Sequence, residues 1–463
     1  MKNKFQVISP IDNHVYVELP QHDRYEIDAV LHHASEAQKE WKNTRIETRI
    51  QFIKDFAEKL AANSERISEE LSWQMGRPIA YSPFEVKGAV ERTLGMADQA
   101  CDALANVKVA EKQGFNRFIK REALGIIFVI PAWNYPYLIA VNSIVPALLA
   151  GNAVVLRHSA QTPLVAERFF DAFREAGLPE GLFQYLHLDH GDTAKVIQDP
   201  RVQFVAFTGS VKGGYEIQKV TQERFIGVGL ELGGKDSAYV RNDAPFEFTV
   251  ENLVDGAFFN SGQSCCGIER IYVHESRYAK FVEAFVALTK KYRLGNPMNQ
   301  ETTLGPLAKR SGAVFLNKQI EHAVLAGAQT LIDPSLFPET DVSENYCAPQ
   351  VLIDVDHAMP FMMEESFGPA VGIMKVKDDA EAIRLMNDSP YGLTASIWTE
   401  NAELAVAIGD QINTGTWFMN RCDYLDPYLA WVGVKDSGRG CTLSKVGFEQ
   451  LTRPKSFHLR VEI

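Results

Sequence analysis

Residues Phe258 to Arg270, FFNSGQSCCGIER, place two adjacent cysteines behind a glycine and a glutamine in a chain with 6 cysteines. A cysteine can be a disulfide partner, a metal ligand, a core residue or a nucleophile. Cys101, Cys265, Cys266, Cys347, Cys422 and Cys441 form no CxxC pair and no Cys/His cluster with zinc spacing. Neither a disulfide nor a metal site is therefore expected, and free thiols in a reducing, cytoplasmic setting are. A nucleophilic thiol needs a base and an oxyanion donor nearby. Glu231 ends an apolar stretch in LELGGK, and Asn134 lies in PAWNYP. Taken alone, Glu231 is either a paired buried acid or a general base, and Asn134 either a turn residue or an amide donor. Gly209, Ser210 and Gly214 in FTGSVKGG follow the apolar FVAF and precede a helical stretch. They form either a plain glycine-rich turn or a backbone that approaches a pyrophosphate at a helix N-terminus, without the GxGxxG pattern.

The elements that must position these residues alternate. GIIFVI (125–130) leads through a turn to the helical spacing of YLIAVNSIVPALLA, and AVVL (153–156) has the look of a buried strand. Thr162 and Pro163 predict the N-cap and first turn of a helix through Glu175, closed by Gly177. LFQYLHL, FVAF and FIGVGLEL continue the strands, with helical stretches near 192–198 and 212–223. Repeated strand, helix, strand means a parallel, doubly wound α/β sheet, which binds ligands at the carboxyl ends of its strands. A second α/β region follows residue 250, with helices over 250–259 and 278–291 and strand-like RIYV, APQVLI and AVGIMKV. The first hundred residues are mainly amphipathic helices, including Ile46 to Asn63 and Ser64 to Met75. Residues 107–123 and the tail FHLRVEI alternate polar and apolar residues as exposed strands do, which makes them candidate subunit contacts.

A chain of 463 residues needs more than one core. With 47 basic and 59 acidic residues the formal charge is −12, which argues against nucleic-acid binding as the main function. The N-terminus MKNKFQVISP lacks the apolar core of a signal peptide. From Ala123 to Leu156 no residue is charged, yet three prolines and three asparagines interrupt the segment, so it is expected to be protein core and not a membrane span.

FFNSGQSC, LELGGK, FTGS, AWNYP, EESFGP and VGVKDSGRG stand in the order and approximate spacing of the aldehyde dehydrogenase superfamily, which the chain resembles over essentially its whole length. The resemblance implies a Rossmann-like cofactor domain (1–106 and 125–233), a second α/β catalytic domain (234–440) and a small β oligomerisation ribbon (107–124 and 441–463). It implies Cys265 as nucleophile, Glu231, 34 residues earlier, as general base, and Asn134 as oxyanion donor. Cys266 is then a small core residue. Trp133, Arg157, Ser159, Gly209, Ser210, Gly214, Glu365 and Phe367 fall on positions that bind NAD or NADP. Tyr135, Leu138, Asn142, Phe259 and Arg421 fall on the substrate tunnel, with Ile139 beside them and Arg421 and Asp423 near its mouth. The implied reaction oxidises an aldehyde through a thiohemiacetal and a thioester that water hydrolyses, in a homodimer or homotetramer. Glu231 argues against the branch that passes the thioester to coenzyme A.

Three positions depart from that pattern. An alanine separates proline from tryptophan in PAWN, Arg157 and His158 stand where lysine and proline are usual, and Ala160 replaces a glutamate that often binds the adenosine ribose. Loss of that carboxylate, beside a cation able to pair with a 2′-phosphate, predicts use of NADP+ alongside NAD+. Asn142 in place of a frequent tryptophan predicts a wider or more polar tunnel. Two other classes remain open from the sequence: a catalytically silent scaffold with this fold, and a cofactor-independent cysteine esterase or thioesterase.

Overall fold

The computed structural model describes residues 4–341 and 343–462. Residues 1–3, 342 and 463, which fall inside the ranges expected for the domains and the ribbon, lie outside the described residues. The uncharged stretch becomes the strand Ile126–Ile130, the helix Pro136–Leu149 and the strand Ala153–Leu156. All five residues of the first strand are buried, as are all four of the last. Pro136 occupies the first turn of the helix, where its missing N–H costs no hydrogen bond. No helix among the described residues is long and apolar enough to cross a membrane.

These strands sit inside a six-stranded sheet ordered Gly438–Arg439, Gly227–Glu231, Val202–Thr208, Ile126–Ile130, Ala153–Leu156, Phe183–Tyr185. Its last five strands run parallel and Gly438–Arg439 pairs antiparallel to Gly227–Glu231. Helices Leu164–Glu175, His190–Gln198 and Val211–Thr221 make the crossovers. The first of these starts later than the sequence predicts, because the Thr162 hydroxyl lies 3.3 Å from His158 Nδ1 and caps no helix N–H. Gly177 closes it with φ +74°. On the other side the helices Ile46–Ala62 and Ser82–Ala103 pack against the sheet's helical layer, with Phe56 stacked on Phe173 at 3.8 Å.

The second sheet has seven strands, ordered Gln329–Thr330, Gln350–Ile353, Ala370–Val376, Ile268–His274, Asp236–Val240, Thr394–Trp398, Thr416–Met419. Every neighbouring pair is parallel except the first. The C-terminal region does not stay with this sheet, although 234–440 is the range expected for its domain. Gly438, at φ +123°, lies so close to the Leu230 carbonyl that a Cβ would be 2.0 Å from its oxygen, and the strand it begins joins the first sheet. Trp431, Leu443, Phe448 and Leu451 belong to the first sheet's core. The third sheet is the ribbon: Thr452–Arg460, Phe115–Ala123 and Val107–Lys108, all antiparallel.

Asn152, fully buried, ties ribbon, sheet and C-terminus together. Its Oδ1 accepts from the Leu124 and Gly125 N–H groups, at 2.7 and 3.0 Å, and its Nδ2 donates to the Ala147 and Leu451 carbonyls. Asn152→Ala leaves those groups without a partner, so a loss of about 3 kcal/mol is expected, read as a lower denaturation midpoint. A midpoint within error of the parent would refute this account of the junction.

Candidate active site

Two cavities meet at one thiol. A tunnel of about 440 Å³ runs between the helices Ser82–Ala103, Pro136–Leu149 and Phe246–Phe258 and the loop around Asp423. A groove of about 260 Å³ lies at the carboxyl ends of the first sheet's strands. Cys265, Thr208 and Leu232 line both, and the Cys265 side chain is half-buried between them. A reactant in the tunnel and a ligand in the groove would therefore reach the same sulfur from opposite sides.

The loop that presents Cys265 is held in an uncommon shape. After the helix Phe246–Phe258, Asn260 and Ser261 adopt left-handed backbone at φ 53° and 56°, and Gly262 follows at 68°. A Cβ on Gly262 would lie 2.3 Å from the Gly368 carbonyl oxygen, so glycine is required there. Hydrogen bonds offset the strain at the other two. Asn260 Nδ2 donates to the carbonyls of Asn134 and Gln263, both at 3.2 Å, and Ser261 Oγ donates to the Gly305 carbonyl at 2.8 Å. Gln263 Oε1 accepts from the Ala308 N–H at 2.9 Å.

Asn134 is brought to this loop by its own amide, whose Nδ2 donates to the Gln263 carbonyl at 3.2 Å, two residues before Cys265. That bond uses one of the two Nδ2 hydrogens and leaves the second available. The turn is fixed from below by Arg77, whose guanidinium pairs with Glu85, donates to the Asn134 carbonyl and to Asn260 Oδ1 at 3.1 Å, and lies over the Tyr135 ring at 4.7 Å. Glu85 Oε1 in turn accepts from the Tyr137 and Leu138 N–H groups, at 2.9 and 3.0 Å. A carboxylate on the exposed N–H groups of a helix N-terminus is favourable on hydrogen-bond and dipole grounds. The extra alanine in PAWN is thus accommodated without moving Asn134 out of reach of the cysteine loop.

Glu231 ends its strand on the tunnel wall. Its carboxylate accepts from Thr442 Oγ1 at 2.5 Å and from Thr208 Oγ1 at 3.1 Å, and burial, outweighing these bonds, pushes its pKa above the usual carboxylate value. Cys266, also on the tunnel wall, is buried and donates to Asp423 Oδ1 at 3.0 Å. Contact with Cys265 and then burial push the Cys266 thiol well up, so it stays protonated.

In the groove, Glu365 Oε1 accepts from the Gly234 N–H at 3.0 Å, and burial, with Glu269 next, pushes its pKa to about 8. A Cβ on Gly233 would lie 2.5 Å from that carboxylate. Phe367, at φ 51°, meets Trp133 edge-on at 5.6 Å. The turn carrying Glu365 and Phe367 hangs on Glu269, which accepts from the Ser366 and Phe367 N–H groups and pairs with buried Lys235 at 2.5 Å. Ser210 caps the helix Val211–Thr221 by accepting from the Gly213 N–H at 3.2 Å. Beyond the groove's wall, Arg157 donates to the Leu188 carbonyl at 3.1 Å while its buried Nε has no hydrogen-bond partner among the described residues. These features fit a dinucleotide: helix N–H groups for phosphate, a donor without a partner, and a carboxylate for ribose hydroxyls.

Other expected residues fall elsewhere. Gly214 does not face the groove; it lets the helix Val211–Thr221 approach Leu232, which a Cβ would meet at 2.8 Å. Ser159 lies outside the groove wall, its Oγ accepting from the Gln161 N–H at 3.3 Å. Tyr135, Leu138, Ile139, Asn142 and Phe259 line the tunnel, as do Cys422 and Asp423. Arg421 does not: it is exposed, and its guanidinium stacks 3.5 Å over the Tyr424 ring. Sequence reasoning missed Arg77, Glu85, Lys235 and Glu269. Glu85 and Glu269 carry charge at positions that helical and strand periodicity assigns to the core, whereas Arg77 and Lys235 lie between elements and give no such signal.

Comparison with known proteins agrees with this geometry. The model of the aldehyde dehydrogenase family matches residues 1–457. Succinate semialdehyde dehydrogenase [NAD(P)+] Sad of Escherichia coli is 31% identical over 444 residues, covering 96% of this chain and 95% of its own length. The structure of succinic semialdehyde dehydrogenase from Streptococcus pyogenes in complex with NADP+ superimposes with a TM-score of 0.92 at 28% identity, covering 98% of this chain and 100% of that one. An NAD-dependent aldehyde dehydrogenase from Sinorhizobium meliloti gives 0.95 at 27% identity, covering 99% and 92%.

Breaking one side of a buried pair costs about 3–5 kcal/mol because the partner charge is left behind. Arg77→Met is expected to lower the denaturation midpoint by that much, and Arg77→Met/Glu85→Gln to lose less than the sum of the single changes. Additive losses in that double-mutant cycle would show that the pair is not coupled.

Proposed function

The chain belongs to the aldehyde dehydrogenase family, and on that premise we propose that Cys265, Glu231 and Asn134 carry its NAD(P)+-dependent oxidation of an aldehyde to the carboxylic acid. The observation that supports this assignment above the others is the position of Cys265 on the shared wall of tunnel and groove. The aldehyde enters by the tunnel. The Cys265 thiolate attacks its carbonyl carbon, and the oxyanion takes hydrogen bonds from Asn134 Nδ2 and the Cys265 backbone N–H, a contact type worth about 3–4 kcal/mol. Trp133, Gly209, Ser210, Glu365 and Phe367 would hold the dinucleotide in the groove, with Arg157 at the adenosine end. Bound there, it would supply the two-electron acceptor for the hydride of the Cys265 thiohemiacetal, whose oxidation leaves a Cys265 thioester. Glu231 then takes a proton from water, and the hydroxide cleaves the thioester, releasing acid and thiol. A base held by two threonine hydroxyls on the tunnel wall supports hydrolysis over transfer to coenzyme A.

Of the relatives named above, the Escherichia coli protein is a succinate semialdehyde dehydrogenase using NAD(P)+ and the Streptococcus pyogenes protein a succinic semialdehyde dehydrogenase in complex with NADP+. Ala160 offers no carboxylate to repel a 2′-phosphate, and Arg157 Nε is a donor without a partner, so both cofactors are assigned to this enzyme. The ribbon supports assembly into a homodimer or homotetramer: Phe118 and Phe457 stack at 4.7 Å on a three-stranded sheet with a free edge at each side. Six free thiols support a cytoplasmic location.

Cys265→Ala is expected to abolish aldehyde-dependent NAD(P)H formation, followed at 340 nm. Glu231→Gln should keep a single-turnover burst of reduced cofactor while steady-state turnover falls by about 10²–10⁴-fold. Because burial raises the Glu231 pKa, protonation removes the base as pH falls through that raised value, and turnover is complete only above it. The acid limb of the steady-state rate therefore lies above the ordinary carboxylate range and disappears in the glutamine variant; an unchanged limb would remove Glu231 from the role. On the cofactor side, kcat/KM for NADP+ is expected within about a hundredfold of that for NAD+, with Arg157→Ala costing NADP+ more. An NADP+ value about a thousandfold lower would end the dual-cofactor assignment.

A further inference from the structure

Arg92 is a buried cation without an ionic partner. Its side chain is 8% exposed, on the helix Ser82–Ala103, and it enters none of the salt bridges among the described residues. What it touches is neutral: the Leu138 carbonyl at 3.0 Å and Asn142 Oδ1 at 3.3 Å. Guanidinium does not deprotonate in proteins, so its charge remains, and an isolated buried charge costs several kcal/mol. Such a cost at a tunnel wall is retained where a ligand offsets it.

A second observation points at the same spot. Asn142, 1% exposed on the helix Pro136–Leu149, turns its Oδ1 to Arg92, and its buried Nδ2 has no hydrogen-bond partner among the described residues. Both side chains line the tunnel that ends at Cys265 and Glu231. Gly88, one turn before Arg92, allows the approach: a Cβ there would meet Leu138 at 2.9 Å. The wall built by these two helices thus offers a guanidinium and an amide N–H side by side, and both donate.

We propose that Arg92 and Asn142 form the tail-group site of the tunnel, and that the substrate is a short aldehyde carrying a single carboxylate. The inference rests on the aldehyde dehydrogenase reading of the same site. The carboxylate oxygens accept from Arg92 and from Asn142 Nδ2, while the aldehyde end reaches Cys265. The other charged groups of the lining explain why the charge is single. Asp423 already accepts from Ser264 and Cys266, Asp255 and Glu91 stand exposed with Lys87, and Glu231 shares the field of Arg92. A dianion such as a phosphate monoester meets more repulsion there than one guanidinium offsets.

The experiment compares kcat/KM for 4-oxobutanoate, butanal, 4-aminobutanal and a phosphorylated short aldehyde in the wild-type enzyme and in Arg92→Gln and Asn142→Leu. The wild type is expected to prefer 4-oxobutanoate to all three others. The ratio of 4-oxobutanoate to butanal should fall about 10–100-fold in Arg92→Gln, mainly through KM, and by a smaller factor in Asn142→Leu. A wild type that prefers butanal, the amine or the phosphate overturns the proposal without any variant having to fold. A loss in Arg92→Gln that is equal for 4-oxobutanoate and butanal also overturns it, since Arg92 would then act on the thiol and not on the substrate tail. If no aldehyde is oxidised in a Cys265-dependent way, the functional reading falls and this inference with it; oxidation of butanal without carboxylate preference removes this inference alone.

Discussion

The guanidinium of Arg77 is the point on which the site's geometry turns. Three segments converge on it: Glu85, the turn that carries the Asn134 carbonyl and the Tyr135 ring, and Asn260 Oδ1. A planar group with five donors can bind three acceptors in fixed directions at once, which a lysine cannot. Its burial is tolerable because Glu85 compensates it and because every contact is a hydrogen bond or an aromatic face. The result is mechanical as well as electrostatic. The turn bearing Asn134 and the left-handed backbone bearing Asn260 are tied to one rigid plane, and the loop that presents Cys265 follows.

The groove repeats this solution with a different cation. Lys235 pairs with Glu269, and Glu269 spends its remaining lone pairs on the N–H groups of Ser366 and Phe367. Phe367 is held in left-handed backbone by those bonds, which sets the angle at which its ring meets Trp133. Each wall of the junction therefore has a buried ion pair behind it. The second sheet enters the site in this way: Lys235 precedes the strand Asp236–Val240 and Glu269 lies on Ile268–His274, so the order of that sheet reaches the cofactor side.

Cys265, Glu231, Asn134 and Glu365 were legible in the sequence because each sits in a short motif whose neighbours set its backbone. The alternation of strands and helices was legible for the same local reason, and boundaries moved by only a few residues. Arg77 and Arg92 were not, since their partners lie far along the chain; Arg77 meets Asn260 across 183 residues. Thr162 was expected to cap a helix, but His158 lies within reach of its hydroxyl, and tertiary contact overrode the local preference. Arg421 failed for a related reason: its loop lines the tunnel through Cys422, Asp423 and Tyr424, yet the Arg421 guanidinium stacks on the Tyr424 ring three residues on. The C-terminal strand Gly438–Arg439 joins the first sheet through a glycine conformation that no hydrophobic period signals.

Four glutamates around the site divide into two kinds by what holds them. Glu85 and Glu269 each pair with a buried cation. Glu231 contacts only threonine hydroxyls, and Glu365 a backbone N–H, so burial outweighs the hydrogen bonds and both are pushed upward. Neutral donors hold such a carboxylate in place without stabilising its charge as a cation does. A general base must be oriented, yet it must still be able to accept a proton. Replacing Thr208 or Thr442 by a cation would orient Glu231 equally well and, in the role proposed for it, weaken it as a base.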